Sequence, residues 1–324
     1  MTLVRIVKNW ERPDLMRQTP GRCGMWDDIQ FTVDPVHESD FVVMLNNNMK
    51  RKTIVKCPKE NVWALMQEPY VKGFTDWMVE GHEHFSRVYT HHPISEDSKY
   101  MSSHPAIPWH VNQSFDQLIE VSIPVKPKLI SWIVGNARDI PGHFKRHTFL
   151  KYIQRENFFD IDVYGRAVRY IDDKWDGLAP YKYSFAIENC KSTDYWTEKL
   201  ADCFLAWTVP LYYGCTNIER YFPADSFIRI DIENPGDSVN QIKEVLYKDD
   251  WEQRLPALTE ARKLVLYEYQ FFPHICKLIK SHSIKKREKE IINLPPYRRS
   301  NKTVFLRMVF KMRRMFMKLH YRFV

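Results

Sequence analysis

The chain has 324 residues, 44% apolar and 27% charged, which admits two domains with separate cores and excludes a disordered chain. Its formal charge of +8 is unevenly placed. From residue 281 onward 13 Lys and Arg face 2 Asp and Glu, so the other 280 residues carry −3 and the excess basicity belongs to the tail.

In chain order, short strands rich in Val, Ile, Phe and Trp are predicted at residues 3–7, 29–33, 40–45, 61–66 and 85–90. Helices between them are weakly signalled. The run Ile123-Pro124-Val125-Lys126-Pro127-Lys128 reads as an interdomain linker. Beyond it strands and helices alternate: a strand at 129–134, a helix at 143–154, and strands at 159–164 and 183–187. A helix at 197–207 and strands at 209–213 and 226–230 follow. That alternation predicts a parallel α/β sheet of the nucleotide-binding type. Residues 257–279 form a long helical stretch that Pro273 should kink or interrupt.

The six cysteines make no CxxC pair, which fits free thiols in a reducing compartment. No apolar run near the N-terminus approaches the ~20 residues of a membrane span, and none resembles a signal-peptide core. A cytoplasmic chain is therefore expected, in which the sequons at Asn112 and Asn301 carry no sugar.

The chemistry concentrates in residues 181–231. A strand delivers Glu188-Asn189 to the carboxyl edge of a sheet, where ligand sites of α/β proteins form. A polar loop follows, and Thr197-Glu198-Lys199 opens a helix whose unpaired N–H groups favour an anion. Lysine in a first turn is poor for helix stability but well placed beside a phosphate. His82, Glu83, His84, His91 and His92 invite a metal reading. A closed ligand geometry is not specified, however, and surface or acceptor-side histidines are the better expectation. The alternation places His82 and His84 on one strand face.

Tyr181-Lys182-Tyr183, Glu188-Asn189, Tyr195, Thr197-Glu198-Lys199, Val209-Pro210, Gly214 and Ser226-Phe227-Ile228 together match the donor motif of another group in both residues and spacing. The segment resembles the family 10 glycosyltransferases, the α-1,3/1,4-fucosyltransferases, of bacterial type. Phe159–Arg166 extends the likeness, and Arg146 matches the arginine on the donor diphosphate. The stretch Val62-Trp63-Ala64-Leu65-Met66-Gln67-Glu68-Pro69 resembles the one bearing the proposed base, Glu68. Cys190 departs from the family serine after Glu-Asn.

The resemblance implies an α/β, GT-B-like fold: two Rossmann-like domains facing across a cleft, plus a basic amphipathic C-terminal tail. The expected divisions are an acceptor-binding domain at 1–125, a donor-binding domain at 126–255, a long helix at 256–280 packing back, and the tail at 281–324. It implies inverting transfer of L-fucose from GDP-fucose to a hydroxyl, in α-1,3 or α-1,4 linkage, of an acceptor oligosaccharide or lipid-linked glycan, such as N-acetylglucosamine of a lipopolysaccharide or surface polysaccharide. Glu68 and Glu198 are the catalytic candidates, and Arg146, Asn189, Tyr195, Glu198 and Lys199 the donor-binding ones. GDP-fucose is the co-substrate and no metal is required, although some members are stimulated by one. Two other readings compete. One is a nucleic-acid-binding protein, which the acidic body opposes; the other is an inactive glycan-binding protein, which the intact motif opposes.

Within the tail, Phe305, Met308, Val309, Met312, Met315, Phe316 and Leu319 share one helical face of residues 304–319. Arg307, Lys311, Arg314 and Lys318 run along the other. That pattern predicts a helix lying in the surface of an anionic membrane, and so peripheral attachment to the inner face of the cytoplasmic membrane.

Overall fold

The computed structural model describes residues 1–92, 94–166, 168–282 and 288–323. They form two compact units, one of Met1–Ile107 with Phe271–Val324, the other of Pro108–Gln270. The opening part of the first unit contributes β1 (Thr2–Val7), β2 (Met25–Trp26), β3 (Ile29–Thr32), β4 (Phe41–Leu45), β5 (Thr53–Cys57), β6 (Val62–Leu65), β7 (Arg87–Thr90) and β8 (Tyr100–Ser102). The second unit runs through α1 (Phe115–Glu120), β9 (Lys128–Ile133), α2 (Pro141–Glu156), β10 (Asp162–Tyr164) and β11 (Tyr181–Ile187). It continues with α3 (Glu198–Leu205), β12 (Val209–Tyr213), β13 (Ile228–Arg229), α4 (Pro235–Lys248) and α5 (Leu255–Leu264). The chain then rejoins the first unit as α6 (Phe271–Ser281), β14 (Glu290–Leu294) and α7 (Asn301–Phe323).

In the first unit seven strands form one sheet, β2-β3-β1-β4-β6-β7-β8, parallel except at β2–β3. Strands β4 and β6 contain no polar residue because both faces of the sheet are covered. Side chains alternate, so Val43, Leu45, Trp63 and Leu65 enter one core cluster and Val42, Met44, Val62 and Ala64 another. Among the described residues up to Ile107 the strands are joined by loops and 3₁₀ turns, not α-helices. The cover comes from far along the chain. Phe271, Phe272, Ile275, Cys276 and Ile279 of α6 fill the first cluster, and Leu294 of β14 joins Val55 and Cys57 of β5 in the second.

This arrangement revises three expectations. The units divide at Ile107/Pro108, not at residue 125, and the proline run lies inside the second unit. There Lys126 is buried and donates to the Ala206 carbonyl at 2.6 Å and Thr208 Oγ1 at 3.0 Å. Residues 256–280 are not one helix: a π-helical turn, Val265–Tyr269, ends at an extended Gln270. Pro273 falls in the first turn of α6, where a missing N–H costs no helical bond, so the break comes before it.

The tail is also not a separate segment. Its root is clamped: the Tyr297 hydroxyl and the Ser300 and Thr303 hydroxyls donate to Glu80, and Arg299 pairs with buried Asp76. Gly73 (φ +80°) lies against α7 so closely that a Cβ there would sit 2.4 Å from the Leu306 carbonyl oxygen. The docked stripe is Thr303, Leu306, Arg307 and Phe310, with Arg307 stacked over Phe74 at 5.0 Å. Arg307 therefore packs on its own unit, contrary to the expected cationic solvent face.

The second unit carries a fully parallel five-stranded sheet, β10-β9-β11-β12-β13. In chain order this is the 2-1-3-4-5 pattern, whose direction of winding reverses between β9 and β11.

Candidate active site

Loops leaving β9 and β11 meet where the winding of the second sheet reverses, the place at which open α/β sheets bind ligands. From the β9 side comes α2, carrying Arg146. From β11 come Glu188 and Asn189, then a loop to Thr197, which caps α3 by accepting from the Lys199 N–H at 3.4 Å. The two sides touch tightly. A Cβ on Gly142, in the first turn of α2, would lie 1.7 Å from the Asn189 carbonyl oxygen. Gly142→Ala should therefore push α2 off Asn189, destabilising the fold by about 1–3 kcal/mol as overpacking does; thermal unfolding checks this.

Arg146 is buried, and its Nη1 donates to Asn189 Oδ1 at 3.1 Å. Its Nε has no hydrogen-bond partner, and among the described residues no carboxylate lies within 4 Å of the guanidinium. Burial lowers its pKa. Glu188 and Glu198 favour its charge only from beyond ion-pair distance, so the desolvated cation is incompletely paired, and an incoming anion relieves that cost.

Lys199 is held differently. Its Nζ lies 3.1 Å from Glu188 Oε2, 2.9 Å from Thr197 Oγ1 and 3.5 Å from Glu198 Oε1. Burial would lower its pKa, but Glu188 and Glu198 together raise it. Glu198 stands among three basic groups, Lys199, Lys174 at 3.7 Å and His110 at 3.8 Å. Burial opposes its charge, yet Lys199 and Lys174 hold its carboxyl far below the usual range. It is an ionised acceptor, suited to receiving sugar hydroxyls. Tyr195 is 1% exposed and lies within electrostatic reach of Arg146.

The structure thus brings Arg146, Asn189, Tyr195, Glu198 and Lys199 together. Sequence reasoning missed Lys174, Asp202 and His110. Lys174 donates to Asp202 at 2.8 Å, and the His110 and Val111 N–H groups donate to the same carboxylate at 2.7 and 3.2 Å. Asp202 follows Glu198 at i+4 on one helix face, the only signal available. His110 precedes the expected linker and so fell in the wrong domain.

In the first unit the winding reverses between β1 and β4. Asn9, after β1, donates to Asn48 Oδ1, after β4, at 2.7 Å. Glu68 is exposed in the loop leaving β6, and the preceding Gln67 donates its N–H to Asn46 Oδ1 at 2.7 Å. Nearby in sequence, Tyr70 stacks on His92 with ring centres 4.7 Å apart. His82 and His84 lie in a loop, not on a strand. His82 is buried between the Trp77 carbonyl and the Tyr100 hydroxyl. Among the described residues no group of three or more His, Cys, Asp or Glu is placed to hold a metal.

Two sheets, the first parallel except at β2–β3 and the second fully parallel with cations at its winding reversal, place the protein in the GT-B-like class. The C-terminal description of glycosyltransferase family 10 (fucosyltransferase) matches residues 123–293, and the chain belongs to that family. The mouse 4-galactosyl-N-acetylglucosaminide 3-alpha-L-fucosyltransferase 9 is 35% identical over 130 residues, 38% of this chain and 34% of the mouse protein. The Pongo pygmaeus fucosyltransferase FUT6 is 30% identical over 131 residues, 39% and 35% of the two. The chain thus spans about a third of the length of the curated relatives it matches. A crystal structure of an alpha1,3-fucosyltransferase with GDP-fucose overlays at a TM-score of 0.49 and 15% identity, covering 83% of this chain and 92% of that one.

Proposed function

We propose that this chain is an inverting fucosyltransferase moving L-fucose from GDP-fucose to an acceptor glycan hydroxyl through an α-1,3 or α-1,4 linkage. The observation that carries the donor half is the buried Arg146 guanidinium without a carboxylate partner, beside Lys199 at the winding reversal of the second sheet. Family membership and the names of the relatives supply the sugar. Asn189, Tyr195 and Glu198 complete the donor set. Glu68 is the base, in the unit whose own carboxyl edge carries Asn9, Asn48 and the Tyr70–His92 pair for an acceptor sugar.

On this reading Glu68 takes the acceptor hydroxyl proton as that oxygen bonds to the anomeric carbon. The bond to the diphosphate breaks on the opposite side, and Arg146, Lys199 and the α3 N-terminus receive the growing charge. Two preorganised cations do what a metal would otherwise do, so the reaction needs none, and turnover should survive a chelator. The acceptor is a lipopolysaccharide or other lipid-linked glycan, because α7 exposes an apolar stripe flanked by cations. Such a helix attaches a protein to the inner face of the cytoplasmic membrane.

The test is a thermal shift with GDP and GDP-fucose against UDP: only the guanine nucleotides should raise Tm. Arg146→Met should leave the unliganded protein folded, because no carboxylate is directly paired with the guanidinium and so none is stripped of a salt bridge. It should also weaken GDP binding roughly 10–150-fold, the loss of about 1.5–3 kcal/mol for a charged hydrogen bond. Unchanged GDP affinity would remove the diphosphate assignment.

A further inference from the structure

We propose that Glu188 is the positioning residue for Lys199, and that it takes up a proton when the donor diphosphate binds, so that Lys199 can turn its charge to the phosphate. The inference rests on the donor reading above.

Glu188 is fully buried at the end of β11. Its Oε1 accepts from the Thr197 N–H at 2.7 Å, and both its oxygens accept from the Thr197 hydroxyl, at 2.9 and 2.8 Å. A Cβ on Gly214 would lie 2.4 Å from its Cγ, so the side chain is walled in. Lys199 is the single cation within 4 Å of it among the described residues. The same lysine also serves Glu198, while Asp202 holds Lys174.

The site therefore balances internally. Arg146, Lys174 and Lys199 match Glu188, Glu198 and Asp202 in charge before any ligand arrives. A sugar-nucleotide diphosphate adds two negative charges beside Arg146 and Lys199. Of the three carboxylates, Glu198 keeps Lys174, and Asp202 keeps Lys174 and two backbone N–H groups. Glu188 has no second cation within 4 Å among the described residues, and Arg146 reaches it only at longer range, where the same diphosphate would draw it away. Burial already raises its pKa, opposed mainly by Lys199. Drawing that ammonium toward phosphate removes the opposing influence, and like-charge repulsion adds to it.

The proton comes from solvent and settles on a Glu188 oxygen. One Lys199 N–H transfers its hydrogen bond from that oxygen to a phosphate oxygen. No covalent bond changes. The sign follows from linkage: a carboxyl that holds its proton more tightly in the complex makes binding stronger as pH falls. The gain is at most about tenfold per pH unit, between the pKa of the free protein and that of the complex.

Other groups facing this cluster could also take a proton. His143 and His147 lie on α2 near Arg146, and His110 faces Glu198 and Lys174. Cys190, Cys215 and Tyr212 face Glu188 but are held neutral by burial, Cys190 at about 12 and Cys215 at about 11.

The experiment is calorimetry of GDP-fucose binding to the full chain near neutral pH, in two buffers of different protonation enthalpy. The substituted diphosphate of the sugar nucleotide has no proton to exchange there. Uptake approaching about one proton per nucleotide is expected for the wild type. Glu188→Gln, a neutral mimic of the protonated acid, should bind at least as tightly with no uptake and a flat pH profile. Infrared difference spectra of the wild type should show a protonated carboxyl band on donor addition, a readout that needs no variant to fold. Binding without uptake, a wild type that lacks the new carboxyl band, or uptake that persists in Glu188→Gln, overturns the inference and leaves the donor reading intact. A wild type that does not bind GDP-fucose overturns the donor reading and this inference with it.

Discussion

Glu68→Gln should lower fucose transfer by ~10²–10⁴-fold, the usual worth of a positioned general base, while GDP-fucose binding stays unchanged. The substitution keeps size and removes only the ability to accept the acceptor proton. Glu68 suits the role because β6 ends at Leu65 and its following loop is pinned: Gln67 bonds Asn46 through its N–H and the Pro105 carbonyl through its side chain. The carboxylate is thus carried by a fixed segment yet exposed to an incoming glycan. Turnover near the wild-type rate would move the base elsewhere. Glu80 is then a poor substitute. Burial pushes its pKa up, but the hydroxyls of Tyr297, Thr303 and Ser300 outweigh that and hold it low. Those same hydroxyls occupy its oxygens. Glu83, exposed beside His84, would be the next carboxylate to replace.

The second unit was the more legible in sequence because its information is local. Strand, loop and helix follow one another from Tyr181 to Tyr213, so Glu188, Asn189, Glu198 and Lys199 come to one edge without any distant segment. In the first unit β1, β4 and β6 declare themselves as apolar runs, but their covering layers begin at Phe271, and no periodicity within residues 1–107 points there. The same distance hid His110 and Lys174, whose meaning depends on Asp202 far along the chain. Pro273 is the local signal for a break near residue 270, whereas the chain turns at Gln270 to enter a different unit. The amphipathy of the tail is legible in sequence, but its exposed and docked cations look alike until Gly73 and Phe74 are in place.

Replacing Lys302, Lys311, Arg313 and Lys318 together by Gln should weaken binding to anionic vesicles by roughly a thousandfold. Each cation near such a surface is worth about 1 kcal/mol, and four give about 4 kcal/mol. These four are exposed on α7. At 100° per residue they flank, on either side, the stripe of Phe305, Met308, Met312, Met315, Phe316 and Leu319. That stripe is 46–65% exposed and lies opposite the docked Thr303, Leu306 and Phe310. An apolar band of this size on a helix clamped to its own unit by Asp76 and Glu80 is oriented outward by the fold. Among the described residues no helix is long and apolar enough to cross a membrane, so contact would be with the surface. The clamp also dictates the design of the test: deleting residues 295–324 would strip partners from buried Asp76 and confuse unfolding with lost binding. The charge variant, and separately Phe305→Ser with Phe316→Ser, leave the docked stripe intact. Both should retain Tm and turnover on short soluble acceptors while losing vesicle binding in sedimentation at low salt. Vesicle binding by the wild type should also fade as salt rises, because the cations act through a screened field. If the charge variant sediments with anionic vesicles as the wild type does, α7 is a structural strut and the membrane reading fails.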